Sequence, residues 1–293
     1  MLSGELRERE KKLFSLLSPC RLCPRECRVD RRKEKGFCGG GWKAKVASFA
    51  PHFGEERELV GKGGSGTIFF SGCNLRCIFC QNYDISILAH GREVEEEELS
   101  EMMLTLQNFG CHNINLVTPT HFVPQIVKAI RIALNKGLSL PIVYNCGGYE
   151  SLETLKLLEG IIDIYMPDIK YGDSAKGKKY SNVPDYWEVV KEAVKEMHRQ
   201  VGDLQVERGI AVKGLIVRHL VMPNRASASE KVLDFLAGEI SPQTYVNIMD
   251  QYRPVFKAGD FPEIARPIKA SEYREIVKSA LGKGLNKGFF PFT

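Results

Sequence analysis

Between residues 67 and 282, short apolar runs alternate with stretches whose apolar residues recur every three or four positions. Thr67–Gly72 (TIFFSG) is β-branched and aromatic, then meets Gly, and predicts a buried strand. Residues 95–110 put Leu99, Met102, Met103, Leu106 and Phe109 on one helical face, with acids in the first turn. Residues 114–118 predict the next strand. Residues 123–135 space Val123, Ile126, Val127, Ile130 and Leu134 as a helix that Gly137 would stop. The alternation continues with a strand at 141–145, a helix at 151–160 that Ser151 would cap, and a strand at 161–170. A helix at 186–201 turns Trp187, Val190, Val194, Met197 and Val201 inward. A strand within 209–223, a helix at 229–240, a strand at 244–250 and a helix at 271–282 complete the series.

Six strand–helix units in order imply a parallel sheet with helices packed outside it. Six units in roughly 215 residues fit an α/β fold built as a partial (β/α)6 TIM-like barrel rather than the eightfold closed form. In such folds chemistry gathers where the strands end and the βα loops open. The Gly-rich polar stretch 36–66 reads as the boundary. Residues 1–66 would form an N-terminal helix plus a cysteine-rich basic extension. Residues 67–293 would form the barrel, with a C-terminal helix and tail.

Composition narrows the class. No apolar run reaches the ~20 residues of a membrane-spanning helix. Residues 1–18 lack the apolar core of an export signal, so a cytoplasmic protein with no membrane partner is expected. In that setting the nine cysteines point to metal or redox chemistry rather than a disulfide framework. The charge is uneven. Residues 1–45 hold 13 Lys or Arg against 6 Asp or Glu, a balance of +7, and the rest is at −2. That basic segment suits an acidic partner or a solvated surface around a metal knuckle. Its bases are not interleaved with aromatics, which argues against a nucleic-acid platform.

Cys73, Cys77 and Cys80 occur in GCNLRCIFCQN (72–82), directly after the first strand of the alternation. A structural zinc ion needs four ligands, and the loop offers three. Three thiolates with one open position suit a [4Fe-4S] cluster whose fourth iron takes a non-protein ligand. The C-x3-C-x2-C spacing, with Phe79 before the third cysteine, resembles the signature of radical S-adenosylmethionine enzymes. The wording around it, Asp84 beyond it, and MPDIK (166–170) resemble the branch that includes pyruvate formate-lyase-activating enzymes.

The resemblance, spanning roughly 67–255, implies a set of roles. The three thiolates would hold the cluster, and S-adenosylmethionine would chelate its open iron. Reductive cleavage would give a 5′-deoxyadenosyl radical that abstracts hydrogen. Phe79 would pack near the adenine and Asn82 would lie close to the cofactor. The usual Gly-Gly-Glu turn after the second strand reads TPTH here, and His121 stands where the carboxylate is expected. Asn145, Cys146, Met166 and Asp168 match positions around a monovalent cation beside the cofactor carboxylate. Asp168, Lys170 and Arg218 are the candidate catalytic residues and also cofactor contacts. Tyr252 falls near a position that approaches the adenosyl group.

Cys20, Cys23, Cys27 and Cys38 form C-x2-C-x3-C-x10-C, which suits a closed zinc site or a second cluster; the spacing leaves both open. The implied function is activation of a glycyl-radical protein, with electrons from a donor such as flavodoxin or ferredoxin. Radical modification of a small molecule or RNA, and a non-catalytic metal-binding interaction protein, are the alternatives.

Overall fold

The computed structural model describes residues 3–289. Helix α1 (Ser3–Ser15) precedes the cysteine-rich arm, followed by β1 (Ala44–His52), the one-turn α2 (Arg57–Val60) and β2 (Ser65–Phe70). Then come α3 (Tyr83–Ser86), β3 (Arg92–Val94), α4 (Glu96–Asn108), β4 (Ile114–Val117), α5 (Val123–Asn135) and β5 (Ile142–Cys146). The chain continues through α6 (Leu152–Leu158), β6 (Ile164–Pro167), α7 (Ser174–Ser181), α8 (Tyr186–Val201), β7 (Gln205–Glu207) and β8 (Ile210–Leu220). It ends with α9 (Ser229–Phe235), β9 (Tyr245–Met249) and α10 (Ala270–Gly282). The tail beyond residue 289 lies outside the described residues.

β2, β4, β5, β6, β8 and β9 pair in that order, every pair parallel. This is the six-stranded partial barrel that the alternation predicts. Its strands are apolar on both faces because both faces are covered. Helices cover the outer face. The inner face holds Val143, Ile164, Met166, Ala211 and Ile216, plugged by the fully buried Leu59 of α2. β8 is long because it serves three partners in turn: antiparallel β7, then β6, then β9. The changeover falls at Gly214, where φ is +122° and a Cβ would lie 2.5 Å from Asp203 O, so only glycine fits.

The stretch 36–66 contains β1, which lies antiparallel on β2 and carries β3 on its other edge. Its alternation is broken by Pro51 and by a register shift between Val46 and Ser48, which hid it from a pattern reading. The arm is fastened to the barrel. Leu6, Leu13, Leu16 and Leu17 are buried, Glu10 pairs with Arg131 of α5 at 2.8 Å, and Leu22 O accepts from Thr154 of α6.

Four expectations change in detail. Phe109 is 62% exposed, because α4 ends at Asn108 and Phe109 belongs to the turn that follows. Leu134 is 48% exposed in the last turn of α5. The helix expected at 229–240 is α-helical only to Phe235 and closes in a π-turn over Leu236–Ile240. Ser151 occupies the N-cap of α6 without a side-chain capping bond.

Candidate active site and the cysteine-rich arm

The parallel register brings distant residues to one mouth. Asn145 lies opposite Met166, Asp168 bridges Arg218, and Arg218 lies opposite Asn247. There the Asp168 carboxylate is held on both oxygens. Arg218 Nε donates to Oδ1 at 2.6 Å and Lys170 Nζ to Oδ2 at 3.0 Å. Arg218 also donates from Nη2 to Asn145 Oδ1 and from Nη1 to Glu55 Oε2, both at 2.9 Å. Burial pushes the Asp168 carboxyl up, but the two cations outweigh it and hold it at about 2. Burial also lifts the Glu55 carboxyl, against Arg218. Sequence reading missed Glu55 and Glu56, since nothing in FGEERE signals that the loop before α2 folds back against β8 and β9. Glu56 accepts from Asn247 at 2.8 Å, while its Oε2 is buried with no hydrogen-bond partner. A cleft of about 530 Å³ opens here, lined by Glu55, Glu56, Arg218, Asn247 and Gln251 among others.

The cysteine triplet lies next to this network. Lys170 lowers the Cys77 thiol pKa electrostatically, although burial dominates and raises it. Burial, with Cys77 next in weight, pushes Cys73 up to about 12. Each sulfur has a polar neighbour. Leu75 N–H reaches Cys73 Sγ at 3.4 Å, Ser181 Oγ donates to Cys77 Sγ at 3.0 Å, and Ser86 Oγ lies 3.1 Å from Cys80 Sγ. All three thiols are free. Buried neutral thiols gain little from such donors, whereas iron-bound thiolates are tuned by them. The donor set therefore fits a cluster.

The other predicted residues separate into groups. Phe79 is buried edge-on among Tyr171, Tyr180 and Tyr252, with centroids 5.9–6.4 Å away. Tyr252 is in that cage and donates to Ile264 O. Asn82 is exposed at the N-cap of α3 with no side-chain capping bond. Met166 points into the apolar barrel interior. Cys146 is buried, and its thiol hydrogen-bonds to Glu150. Glu150, unforeseen from the sequence, also accepts from Thr120 Oγ1 (2.6 Å) and Tyr144 OH (3.0 Å). Burial pushes it up to about 7 against those bonds.

His121 is 1% exposed. Its Nε2 lies 2.8 Å from Ser71 O, its Nδ1 has no partner, and its carbonyl accepts from Arg31. Burial drops its pKa to about 3, so it is neutral and Nε2 is the donor. The structure places it beside the N-terminal cysteines. Cys20, Cys23, Cys27 and Cys38 line one cavity with Arg31 and His121. Among the described residues, no three His, Cys, Asp or Glu side chains converge as ligands of one metal ion.

The arm grips the triplet loop. Cys73 N–H donates to Cys38 O at 3.1 Å. At Gly72, where φ is +93°, a Cβ would lie 2.3 Å from that same carbonyl. Arg25 donates to Asn74 O, Ser181 O and Asn182 O. Arg76 donates to Phe37 O at 3.2 Å.

Comparison with known proteins agrees with this geometry. Residues 67–217 match the family model of the Radical SAM superfamily. An uncharacterized protein of Methanocaldococcus jannaschii is 34% identical over 278 residues, covering 90% of this chain and 74% of that one. A second uncharacterized protein of the same organism is 26% identical, covering 83% and 73%. A pyruvate formate-lyase-activating enzyme of Clostridium pasteurianum is 26% identical over 197 residues, covering 62% and 72%.

Proposed function

The chain belongs to the Radical SAM superfamily, and from that membership we propose an activating enzyme that takes hydrogen from a glycyl-radical protein. Cys73, Cys77 and Cys80 would hold a [4Fe-4S] cluster with S-adenosylmethionine on its open iron. When bound, that pair supplies one-electron cleavage of the sulfonium and hydrogen abstraction from carbon.

The chain's own residues prepare the site. Ser181 and Ser86 orient two sulfurs by the hydrogen bonds described. Lys170 puts a positive charge beside Cys77 and is held there by Asp168. Arg218 ties Asp168, Asn145 and Glu55 together, and with them three strand ends and the loop before α2. Glu56 Oε2 offers a buried carboxylate acceptor to an ammonium or hydroxyl on a bound molecule, where TPTH has only the neutral Nδ1 of His121. The buried aromatic cage around Phe79 keeps water from the inner side of the triplet loop. We read the N-terminal cysteines as a second metal site.

The observation that carries the proposal is the triplet of free thiols, each with a polar neighbour, set against a Lys170–Asp168–Arg218 chain at the strand ends. The activase assignment draws support from the Clostridium pasteurianum relative. The test is anaerobic incubation of the reduced protein and S-adenosylmethionine with glycyl-radical proteins from the same source. A backbone-radical signal by electron paramagnetic resonance is expected. S-adenosylmethionine cleavage with no such signal on any of them would sink the activase assignment and favour a small-molecule or RNA substrate.

A further inference from the structure

We infer that the cleft between the loop before α2 and β9 binds an ammonium group carried on an apolar stem, with Glu56 as its counterion. The inference deepens the proposed function and rests on it only in taking that molecule as the one that gives up hydrogen. Three observations lead to it.

First, local structure does not account for Glu56. It stands at the N-cap of α2, yet its side chain caps nothing. It turns instead to β9, where Oε1 accepts from Asn247 Nδ2 at 2.8 Å. The residue is 6% exposed and lines the cleft, and Oε2 has no hydrogen-bond partner. Leu59, one turn on, is fully buried in the barrel and holds that turn in place. A carboxylate oxygen shut off from water without a donor is costly, and a bound donor removes the cost.

Second, the charge around Glu56 is one cation short. Asp168, Glu55 and Glu56 are three carboxylates beside two cations, Arg218 and Lys170. Arg218 directs Nε to Asp168, Nη1 to Glu55 and Nη2 to Asn145, and acts on Glu56 only through space. The cleft wall adds Glu58 and Asp250 against Arg57, a further excess of one acid. A concave surface with surplus negative charge concentrates cations.

Third, the acceptor on offer is a single oxygen. A guanidinium fork pairs with both oxygens of a carboxylate, and Asn247 already engages Oε1. An ammonium is a compact charge that one oxygen can receive. Tyr245, Met249 and Phe289 supply apolar wall for its stem. The cleft volume of about 530 Å³ lies within the ~300–1,000 Å³ of small-molecule sites.

Position ties the cleft to the triplet. Gln251, in its wall, accepts at the carbonyl from Gln81 Nε2 at 2.9 Å, and Gln81 follows Cys80. A molecule anchored at Glu56 thus lies in a cleft whose wall touches the triplet loop. Glu56 makes and breaks no bond; it selects and positions. A free alkylamine and a lysine side chain of a protein share this chemistry.

The test is calorimetric titration of the full chain, reconstituted anaerobically with iron and sulfide, at neutral pH. The probes are n-hexylammonium, neutral 1-hexanol and Nα-acetyl-lysine amide. Hexylammonium should bind about tenfold more tightly than 1-hexanol, the difference a charged hydrogen bond makes. In Glu56→Gln that preference should vanish. Acetyl-lysine amide binding more tightly than hexylammonium would identify a protein segment as the source, and the reverse order a free amine. A preference that survives in Glu56→Gln, or ammonium probes that do not bind, would overturn the inference. Should Glu56→Gln fail to fold, wild type that binds 1-hexanol as tightly as hexylammonium would overturn it equally. Failure of the superfamily chemistry reads differently. Ammonium bound at Glu56 with no 5′-deoxyadenosine formed from S-adenosylmethionine would sink that chemistry and keep the site, whereas 5′-deoxyadenosine formed by a protein that binds no ammonium would do the reverse.

Discussion

Asp168→Asn tests whether the strand-end network is held together by charge. In the folded chain the Asp168 carboxyl is lowered from 3.8 to about 2. At 1.36 kcal/mol per unit, that is about 2 kcal/mol of stability at neutral pH. The sign follows from the depressed value: the contribution is complete above about pH 4 and is lost as pH falls through 2. Asparagine keeps the shape but leaves Lys170 without an anion and Arg218 with Glu55 alone. Removing one member of a buried pair costs 3–5 kcal/mol. Asp168 and Lys170 side chains are about one-fifth exposed, which lets water offset part of that cost. A loss of about 2–3 kcal/mol is expected at pH 7. Urea unfolding of the metal-free protein would read it as a lower midpoint at unchanged slope. The same substitution in a Lys170→Met background should cost about 1 kcal/mol less, since the two share an interaction. Additivity within about 0.5 kcal/mol would show that the pair contributes nothing and refute the reasoning.

Other consequences follow from the same contacts. Glu150→Gln should stabilise the chain above neutral pH by up to about 3 kcal/mol, because a carboxyl raised to about 7 loses folded-state stability as pH climbs from 4.5 to 7; parallel pH–stability curves for both proteins would contradict it. Leu59→Ala should cost about 2–5 kcal/mol by opening the barrel interior, read as a lower urea midpoint; an unchanged midpoint would mean that α2 does not plug the barrel. Arg25→Ala frees Asn74 O, Ser181 O and Asn182 O together, and should speed proteolysis between residues 74 and 82 while leaving far-ultraviolet circular dichroism unchanged; no change in cleavage rate would show that the staple is idle.

Hydrophobic periodicity was enough to read the six parallel units, because each strand is buried on both faces and each helix on one. It could not reveal β1, whose Pro51 and register shift break the alternation, or α2, which is a single turn. The triplet was legible because its pattern is local, three cysteines within one loop. Asp168 and Lys170 were legible because charge at the end of an apolar strand stands out, and Arg218 through the family resemblance of its strand. Glu55 and Glu150 were not. Their surroundings are made by contacts 163 and 30 residues away, with Arg218 and Thr120. Arg31 was hidden among surface bases; only folding shows it to be the one turned in on two sulfurs.

The central claim is that this fold cleaves S-adenosylmethionine at Cys73, Cys77 and Cys80. The direct measurement is 5′-deoxyadenosine formed by reconstituted, dithionite-reduced protein, with Cys77→Ala alongside. Product from wild type and none from the variant is the predicted result. No product from a wild type that shows a good [4Fe-4S] spectrum would contradict the claim and leave a metal-binding protein whose TPTH turn does not receive the cofactor.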